Sequence, residues 1–225
     1  MKFFADTANV EEIKDLMRAD LIQGVTTNPT LIQRAGRKDF RECIAEICDV
    51  VDGPVSAEVT SLNCVDMIDE GRELAKIAPN VVVKLTCDLQ GMMACKTLSD
   101  DGIDVNMTLA FSVAQYTLAA NAGAKYVSPF IGRLDDIGED GITLIDEIYA
   151  SKQVDSPNIL AASIRSADHI NQAIVAGADC VTIPPKLIWE IMEHKLTIEG
   201  IEKFQEDWDE LQKVQREHLE NFNHE

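Results

Sequence analysis

Residues 80–85 read Asn-Val-Val-Val-Lys-Leu, a short run of mainly β-branched residues that is apolar on both faces. Such a run is typical of a strand in a parallel sheet that is covered on both sides. The segment before it, Leu62–Ile77, repeats apolar residues near the helical period; Ser61 is its predicted N-cap and Pro79 follows its end. This part of the chain therefore predicts a helix followed by a buried strand.

The same alternation of an apolar run and a helical pattern recurs along the chain, at intervals of roughly 20–30 residues. Eight such units favour a closed barrel, and a doubly wound open sheet is the alternative. We therefore predict an α/β fold, a single (β/α)8 TIM barrel with a C-terminal helical extension. The predicted strands are Lys2–Asp6, Ile22–Thr26, Pro54–Val59, Asn80–Leu85, Asp104–Leu109, Ala124–Ser128, Asn158–Ser163 and Asp179–Ile183.

The ends of the helices and the last segment of the chain complete this outline. Asn9 and Ser166 are predicted N-caps of the helices that follow the first and seventh strands. Residues 197–225 form a charged segment in which Phe204 and Trp208 belong to an apolar stripe of helical spacing. That stripe must be buried on the barrel itself or on a neighbouring subunit. The length of 225 residues fits one domain, 1–225, that includes this helix.

Composition and charge limit the binding partners and the cellular location that the sequence predicts. A formal net charge of −19 repels nucleic acid and anionic lipid, so neither is a predicted partner. It also repels a phosphorylated substrate at long range, so any phosphate must be bound by a local basic cluster. No apolar run approaches the ~20 residues of a membrane span, and the N-terminal residues lack the apolar core of a secretory signal. We expect a cytoplasmic protein.

The sequence offers little for metal or redox chemistry. Its six cysteines form no C-x-x-C pair, and its four histidines lie away from the predicted strand ends. It contains no P-loop, no dinucleotide-binding motif and no nucleophile elbow. We predict no metal and no cofactor, and we interpret the cysteines as small, mostly buried hydrophobic residues.

Polar side chains occupy the ends of the predicted strands. In (β/α)8 barrels the loops after the strands build the active site, so these side chains should converge. They include acids, amides, hydroxyls and cations. The candidates are Asp6, Thr26, Asn28, Glu58, Thr60, Lys84, Asn106, Thr108, Ser128, Arg133, Ser163, Arg165 and Thr182.

Lys84 is the most informative of these candidates because it follows three valines and would lie at the rim of a dry core. Burial disfavours an ammonium ion, and a neutral amine attacks a ketone to form an imine that acts as an electron sink. A lysine at a strand end can instead extend its ammonium group to solvent. The carboxylates and amides on neighbouring strands favour imine formation.

Asp6 and Glu58 are a pair of carboxylates suited to proton transfer. Aldol cleavage needs a base that takes a hydroxyl proton, and imine formation and hydrolysis need proton transfer to and from water. Two carboxylates in different environments can divide these tasks. Asp6 could alternatively cap the helix that follows it, whereas Glu58 lies within an otherwise small and apolar strand.

Arg133 and Arg165 follow adjacent predicted strands and could bind one phosphate group together. Ser163 and backbone N–H groups at the helix after Ser166 would complete that pocket. The alternative for Arg133 is a surface ion pair with one of the two aspartates at 135 and 136.

Several stretches of the chain resemble the small transaldolase family, and the likeness extends over nearly its whole length. The Gly-Val-Thr-Thr-Asn-Pro and Ser-Pro-Phe-x-Gly-Arg motifs are the most specific. The matching stretches are Phe4-Ala-Asp-Thr-Ala-Asn9, Gly24-Val-Thr-Thr-Asn-Pro-Thr30, Val83-Lys84, Ser128-Pro-Phe-Ile-Gly-Arg133, Leu134-Asp-Asp-Ile-Gly138 and Ala161-Ala-Ser-Ile-Arg165.

The resemblance implies a two-stage reaction in the pentose phosphate pathway. Lys84 would bind a ketose phosphate as a Schiff base, and Asp6 would deprotonate the C4 hydroxyl so that an aldose phosphate leaves. The dihydroxyacetone unit on Lys84 would then pass to a second aldose phosphate. The family's substrates are sedoheptulose 7-phosphate and glyceraldehyde 3-phosphate, and its products are erythrose 4-phosphate and fructose 6-phosphate.

The resemblance also implies roles for the surrounding side chains. Glu58 and Thr108 would hold the catalytic water, and Ser128 would contact the C1 hydroxyl. The remaining roles are orientation of the bound carbons by Asn28 and Asn106 and phosphate binding by Arg133, Ser163 and Arg165. We also predict that Thr26 and Phe130 belong to the substrate-binding residues.

A sister group in the same family releases free dihydroxyacetone from fructose 6-phosphate. It typically has Gln where this chain has Glu58 and Tyr where it has Phe130, so both positions follow the transaldolase pattern. The chain departs from the family at Thr86, where the family usually has a proline two residues after the catalytic lysine; this leaves the rigidity of the following loop in doubt.

Two alternatives stay open at this point. One is an aldolase that releases free dihydroxyacetone, and the other is a phosphosugar-binding barrel without catalysis.

Small members of the family assemble as pentamers or decamers, so the resemblance also implies a homo-oligomer.

Overall fold

Eight parallel strands form a closed barrel. The computed structural model describes residues 1–222, which contain eight β-strands and eleven α-helices. Neighbouring strands pair in chain order, and the eighth pairs with the first to close the barrel. The predicted (β/α)8 barrel is confirmed, and the open-sheet alternative is wrong. The strands are β1 (Lys2–Asp6), β2 (Gly24–Thr26), β3 (Val55–Glu58), β4 (Val81–Thr86), β5 (Val105–Ala110), β6 (Tyr126–Pro129), β7 (Asn158–Ala161) and β8 (Cys180–Ile183).

Helices alternate with the strands, and two helices occur in each of the connections after β2 and β6. They are α1 (Val10–Arg18), α2 (Pro29–Arg34), α3 (Phe40–Val50), α4 (Cys64–Ala75), α5 (Leu89–Asp100), α6 (Val113–Asn121), α7 (Ile131–Asp136), α8 (Gly141–Ser151), α9 (Ala167–Val175), α10 (Pro185–Met192) and α11 (Lys195–Phe222). No helix within residues 1–222 is both long and apolar enough to cross a membrane.

Side-chain caps define where several helices begin. Asn9 accepts hydrogen bonds from two N–H groups in the first turn of α1, and Ser166 caps α9, so both predicted N-caps are confirmed. The predicted helix Leu62–Ile77 is wrong at both ends, because α4 runs over Cys64–Ala75 and its cap is Asn63. The backbone N–H of Ser61, the predicted cap, donates to the Glu70 carboxylate instead.

The chain divides into two compact units, Met1–Leu187 and a second unit that begins at Ile188. The first unit contains the barrel, and the second contains part of α10 and all of α11. The single domain over 1–225 stays a prediction, as does the packing of residues 197–225 on the barrel or on a neighbour. Residues 223–225 of that segment lie outside the described part.

The barrel interior is apolar at one level and polar above it. An apolar cluster comprises Phe4, Val82, Tyr126, Leu160 and Cys180, which belong to five different strands. Because side chains alternate along a strand, the residue two positions further along points to the same side of the sheet. Those next residues are Asp6, Lys84, Ser128, Ala162 and Thr182, and all five line one cavity.

Candidate active site

Lys84 is held inside the barrel by two oxygen atoms. Its side chain is only 7% exposed, and its Nζ lies 2.9 Å from Glu58 Oε2. The same Nζ donates a hydrogen bond to the carbonyl oxygen of Thr27, at 3.0 Å. The β3–β4 register places Glu58 directly beside Lys84. The alternative of a lysine extended to solvent is therefore wrong.

A chain of hydroxyl groups leads from β8 to Asp6. Thr26 Oγ1 donates to Asp6 Oδ1 at 2.8 Å and lies 2.5 Å from Thr182 Oγ1. An ionised carboxylate only accepts hydrogen bonds, so the single hydroxyl proton of Thr26 points to Asp6. Thr182 must then donate to Thr26. These bonds orient the Asp6 carboxylate, and the helix that follows is capped by Asn9 rather than by Asp6.

Burial raises the pKa of Asp6 above its ordinary value of 3.8. The hydrogen bond from Thr26 and the positive charge of Lys84 oppose this shift, and the negative charge of Glu58 adds to it. Removal from water thus increases the proton affinity of Asp6, which is the change that a general base requires.

Amide and hydroxyl side chains on the neighbouring strands are also held in place. Asn106 donates to Ser56 Oγ at 3.2 Å and accepts from Ser128 Oγ at 2.8 Å. Asn28 uses its amide oxygen to cap α2, accepting from the N–H of Leu31 at 2.9 Å. The cap occupies the oxygen of Asn28, so its amide nitrogen is the atom that can donate to a molecule in the cavity.

Thr108 stands at an irregularity of the barrel. The pairing of β5 with β6 shifts register between Thr108 and Ala110, and Leu109 between them has φ 61°. Irregularities of this kind redirect side chains next to active sites. Within the described residues, the buried hydroxyl of Thr108 has no hydrogen-bond partner. It is therefore available to a molecule bound in the cavity.

Two adjoining cavities, of about 200 and 440 Å³, open at this end of the barrel. Eleven of the twelve residues that the sequence assigns to catalysis or substrate binding line one or both of them. The twelfth, Arg165, lines neither. The residues brought together are Asp6, Thr26, Asn28, Glu58, Lys84, Asn106, Thr108, Ser128, Phe130, Arg133 and Ser163.

Seven further residues line these cavities without a role assigned from the strand ends, among them Thr182, Arg34 and Leu109. Thr182 was visible as a polar strand end, but nothing in its sequence neighbourhood indicated the contact with Thr26. Arg34 lines the larger cavity from the end of α2. Because it lies on a helix, it is not among the candidates taken from the strand ends. Leu109 lines the same cavity because of the shifted pairing of β5.

The two predicted phosphate-binding arginines differ in their surroundings. Arg133 lines both cavities, and its guanidinium lies 5.2 Å from the ring centre of Phe130. Arg165 instead makes a bidentate ion pair with Asp136. Asp135, which precedes Asp136 in the chain, has its Oδ2 atom 3.2 Å from Nε2 of His169 on α9. The surface ion pair anticipated as an alternative for Arg133 is thus formed by Arg165.

The fold and this site together define a class of protein. A polar cavity at the carboxyl ends of the strands of a closed barrel is typical of (β/α)8-barrel enzymes, and here it contains a buried lysine in contact with a carboxylate. Within residues 1–222, no group of three or more histidine, cysteine or acidic side chains is arranged to hold a metal ion.

Comparison with known proteins identifies the family. Residues 3–220 match the model of the transaldolase/fructose-6-phosphate aldolase family, so the chain belongs to that family. It is 53% identical over 211 residues to a probable transaldolase of Parvibaculum lavamentivorans, covering 92% of this chain and 96% of the relative. It is 53% identical over 215 residues to probable transaldolase 1 of Bacillus cereus, covering 94% and 99%. The probable transaldolase of Hyphomonas neptunium is 55% identical over 210 residues, covering 92% and 96%. The chain is therefore an enzyme of the transaldolase type.

Proposed function

We propose that this enzyme is a transaldolase that moves a dihydroxyacetone unit from a ketose phosphate to an aldose phosphate through a Schiff base on Lys84. The observation that carries the proposal is the contact of 2.9 Å between the buried Lys84 ammonium and Glu58, in a cavity that also contains Asp6. The names of the three relatives support transfer as the reaction.

The first half of the reaction begins with the loss of a proton from Lys84. Glu58 is in direct contact and can accept that proton, after which the neutral amine attacks the C2 carbonyl of the ketose. The carbinolamine loses water to give a protonated imine. Thr108, with its unpaired hydroxyl, can bind that water beside Glu58.

Carbon–carbon cleavage then depends on Asp6. Asp6 takes the proton of the C4 hydroxyl, the C3–C4 bond breaks, and its electron pair moves into the protonated imine to form an enamine. The aldose phosphate leaves. A second aldose phosphate accepts the enamine carbon in the reverse sequence, and hydrolysis of the imine returns the lysine.

The polar side chains around Lys84 match the hydroxyl groups of a sugar. Asn106 and Ser128 are joined by a hydrogen bond of 2.8 Å, and we assign them to the bound carbons and the C1 hydroxyl. Asn28 and Thr26 complete this set from β2 and the residues after it. The phosphate is assigned to three residues after β6 and β7, namely Arg133, Ser163 and Arg165.

Phe130 favours transfer over release of dihydroxyacetone in this proposal. Its ring lines both cavities and packs edge-on against Phe111, with ring centres 6.3 Å apart. An apolar ring brings no hydroxyl that could hold water near the imine, so the enamine persists until an acceptor arrives.

The proposed donors are sedoheptulose 7-phosphate or fructose 6-phosphate, and the proposed acceptors are glyceraldehyde 3-phosphate or erythrose 4-phosphate. We propose that the enzyme serves the pentose phosphate pathway in the cytoplasm as a homo-oligomer.

Borohydride trapping tests the covalent step. The enzyme is incubated with fructose 6-phosphate, reduced, digested and analysed by peptide mass spectrometry. We expect the wild-type adduct on Lys84 to have the mass of a reduced dihydroxyacetone unit. We expect Asp6→Asn to accumulate the uncleaved hexose phosphate on Lys84, because imine formation does not need this base. Absence of any adduct on Lys84 would contradict the proposal and favour a non-catalytic sugar-phosphate-binding barrel.

A second assay separates transfer from release. Free dihydroxyacetone is measured from fructose 6-phosphate with and without erythrose 4-phosphate, together with the formation of sedoheptulose 7-phosphate when that acceptor is present. We expect release to be slow and turnover to require the acceptor. Free dihydroxyacetone at equal rates with and without acceptor would instead indicate an aldolase.

A further inference from the structure

Asp136 occupies the last position of α7 and reaches across to the loop after β7. Its two carboxylate oxygens accept from the two terminal nitrogens of Arg165, one oxygen for each nitrogen. The hydrogen bond from Arg165, and to a smaller extent the charge of Arg133, lower the pKa of Asp136. The carboxylate thus lies within the electrostatic reach of both arginines that we assign to the phosphate.

The ion pair with Asp136 leaves one edge of Arg165 unused. A guanidinium has five N–H donors, and the pair uses only the edge formed by the two terminal nitrogens. The Nε atom lies beside Gly132, because a Cβ built on Gly132 would meet Arg165 Nε at 2.7 Å. That Cβ would also meet Ser163 Oγ at 3.1 Å. The Nε edge of Arg165 and the Ser163 hydroxyl therefore converge beside Gly132.

The backbone at Gly132 and Ser163 is adapted to the close approach of these two segments. A side chain on residue 132 would also collide with the carbonyl oxygen of Ser163, at 2.3 Å, so only glycine fits. Ser163 itself has φ 60°, in the left-handed region that non-glycine residues rarely adopt. Such conformations cluster where a site must be held in one geometry. These residues form a small cradle with two donors, one from Ser163 and one from Arg165.

We infer that Asp136 is a counter-charge that lowers the affinity of this cradle for the phosphate group, so that one sugar phosphate can replace another. This inference rests on the proposed function, in which two different aldose phosphates must pass through the same site in every cycle. Arg133 and Arg165 carry two positive charges against a phosphate of about two negative charges. The negative charge of Asp136 offsets about half of that attraction, while the Nε edge of Arg165 still binds.

Asp136→Asn is the decisive variant because asparagine has nearly the same shape, can still accept one hydrogen bond from Arg165 and carries no charge. We expect inorganic phosphate, measured by calorimetry, to bind about three- to tenfold more tightly to the variant than to the wild type. The KM for glyceraldehyde 3-phosphate should fall by a similar factor. The KM for unphosphorylated glyceraldehyde should stay the same.

Two controls define the effect. Asp101→Asn removes a similar exposed carboxylate that pairs with Arg72 at 2.7 Å, away from the two cavities, and should not change phosphate binding. Arg165→Gln should weaken phosphate binding by roughly tenfold or more, because it removes the Nε donor and one positive charge.

The direction of the change in phosphate affinity distinguishes a counter-charge from a carboxylate that only positions Arg165. If Asp136 only held Arg165 in position, Asp136→Asn would weaken phosphate binding, and that result or an unchanged affinity would overturn the counter-charge. Unchanged binding in Arg165→Gln would overturn it as well. Calorimetry on the Lys84→Met variant makes the measurement independent of catalysis, so the absence of a Lys84 adduct and the failure of this inference are distinguishable.

Discussion

The buried carboxyl of Asp6 affects the stability of the protein as well as its reactivity. Burial raises its pKa, so the folded protein binds a proton at this carboxyl more tightly than the unfolded chain does. The resulting stabilisation is fully present below pH 3.8 and is lost as the pH rises through the raised pKa. At neutral pH the carboxyl of the unfolded chain is ionised, so burial of Asp6 opposes folding there.

Asp6→Asn should for this reason unfold at a higher temperature than the wild type at pH 7, although we expect it to lose the proposed cleavage activity. Asparagine keeps the acceptor for Thr26 and removes the buried charge. The advantage should shrink as the pH falls from the raised pKa, where the folded carboxyl takes up a proton, to 3.8, where the carboxyl of the unfolded chain does so too. Thermal unfolding of both proteins across the range from acid to neutral pH measures this difference. A lower melting temperature for Asp6→Asn at neutral pH would contradict the expectation.

Glu70 provides a control of opposite sign in the same titration. Burial alone would raise its pKa, but hydrogen bonds from the N–H and hydroxyl groups of Thr60 and Ser61 outweigh burial and lower it. Its stabilising effect is present above pH 4.5 and is lost as the pH falls through the lowered pKa. Glu70→Gln should therefore destabilise the protein at neutral pH and lose this effect in acid.

At the residue scale, the sequence predicted most of the polar residues that line the two cavities but not the contacts between them. The positions of Asp6, Glu58 and Lys84 follow from their places at strand ends. That Glu58 rather than Asp6 contacts Lys84 depends on the register of β3 against β4. That Arg165 turns to Asp136 depends on how two segments approach each other at Gly132.

At the scale of elements, the connection from β4 to α5 contains a departure from the family pattern. The sequence has Thr86 in place of the usual proline, which leads us to expect a freer loop. In the structure, Thr86 Oγ1 donates to Asp88 Oδ2 at 3.1 Å, and Asp88 Oδ1 accepts from the N–H of Gly91 at 2.8 Å. The N–H of Cys87 donates to the carbonyl of Thr108 at 2.8 Å. Hydrogen bonds thus restrain the loop where a proline ring would.

Asp88→Ala should show the importance of this restraint. It removes the N-cap of α5 and the partner of Thr86, so we expect a loss of about 1 kcal/mol in the free energy of unfolding. We also expect a severalfold decrease in kcat. The loop begins only two residues after Lys84, at the end of the same strand, so a looser loop should disturb the position of the lysine. Chemical denaturation and steady-state kinetics measure the two effects.

Asp39→Ala is the matched variant for this test. Asp39 caps α3 through the N–H of Glu42 at 3.0 Å and lines neither cavity. It should lose similar stability and keep its kcat. Equal kcat values in both variants would show that the β4–α5 loop does not affect the reaction.

At the scale of the whole molecule, the C-terminal helix raises the question of assembly. The sequence predicts that an apolar stripe on α11 is buried, yet Ile201, Phe204 and Trp208 are between 51 and 74% exposed in the single chain. Large exposed apolar patches mark contact surfaces. The implied homo-oligomer is a prediction that would cover this stripe.

Phe204→Glu should therefore reduce the molar mass of the assembly, measured by size-exclusion chromatography with light scattering, because it places a charge within the stripe. Lys213→Gln changes the net charge by the same amount on the opposite face of α11 and should leave the mass unchanged. A monomeric wild type would contradict the expectation directly. An unchanged mass for Phe204→Glu would show that subunits associate through another surface.

The sequence by itself determined the barrel, the N-caps of α1 and α9, and most of the polar residues that line the two cavities. It could do so because these features follow from local periodicity and from the rule that parallel strands end on one side of the sheet. Only the tertiary structure decided the contacts on which the proposed chemistry depends. Thr26 and Thr182 meet across 156 positions, and Asp136 meets Arg165 across 29. Such contacts require two distant segments to be placed within a fraction of an ångström, because hydrogen bonds weaken steeply with distance and angle, and no local pattern encodes that placement.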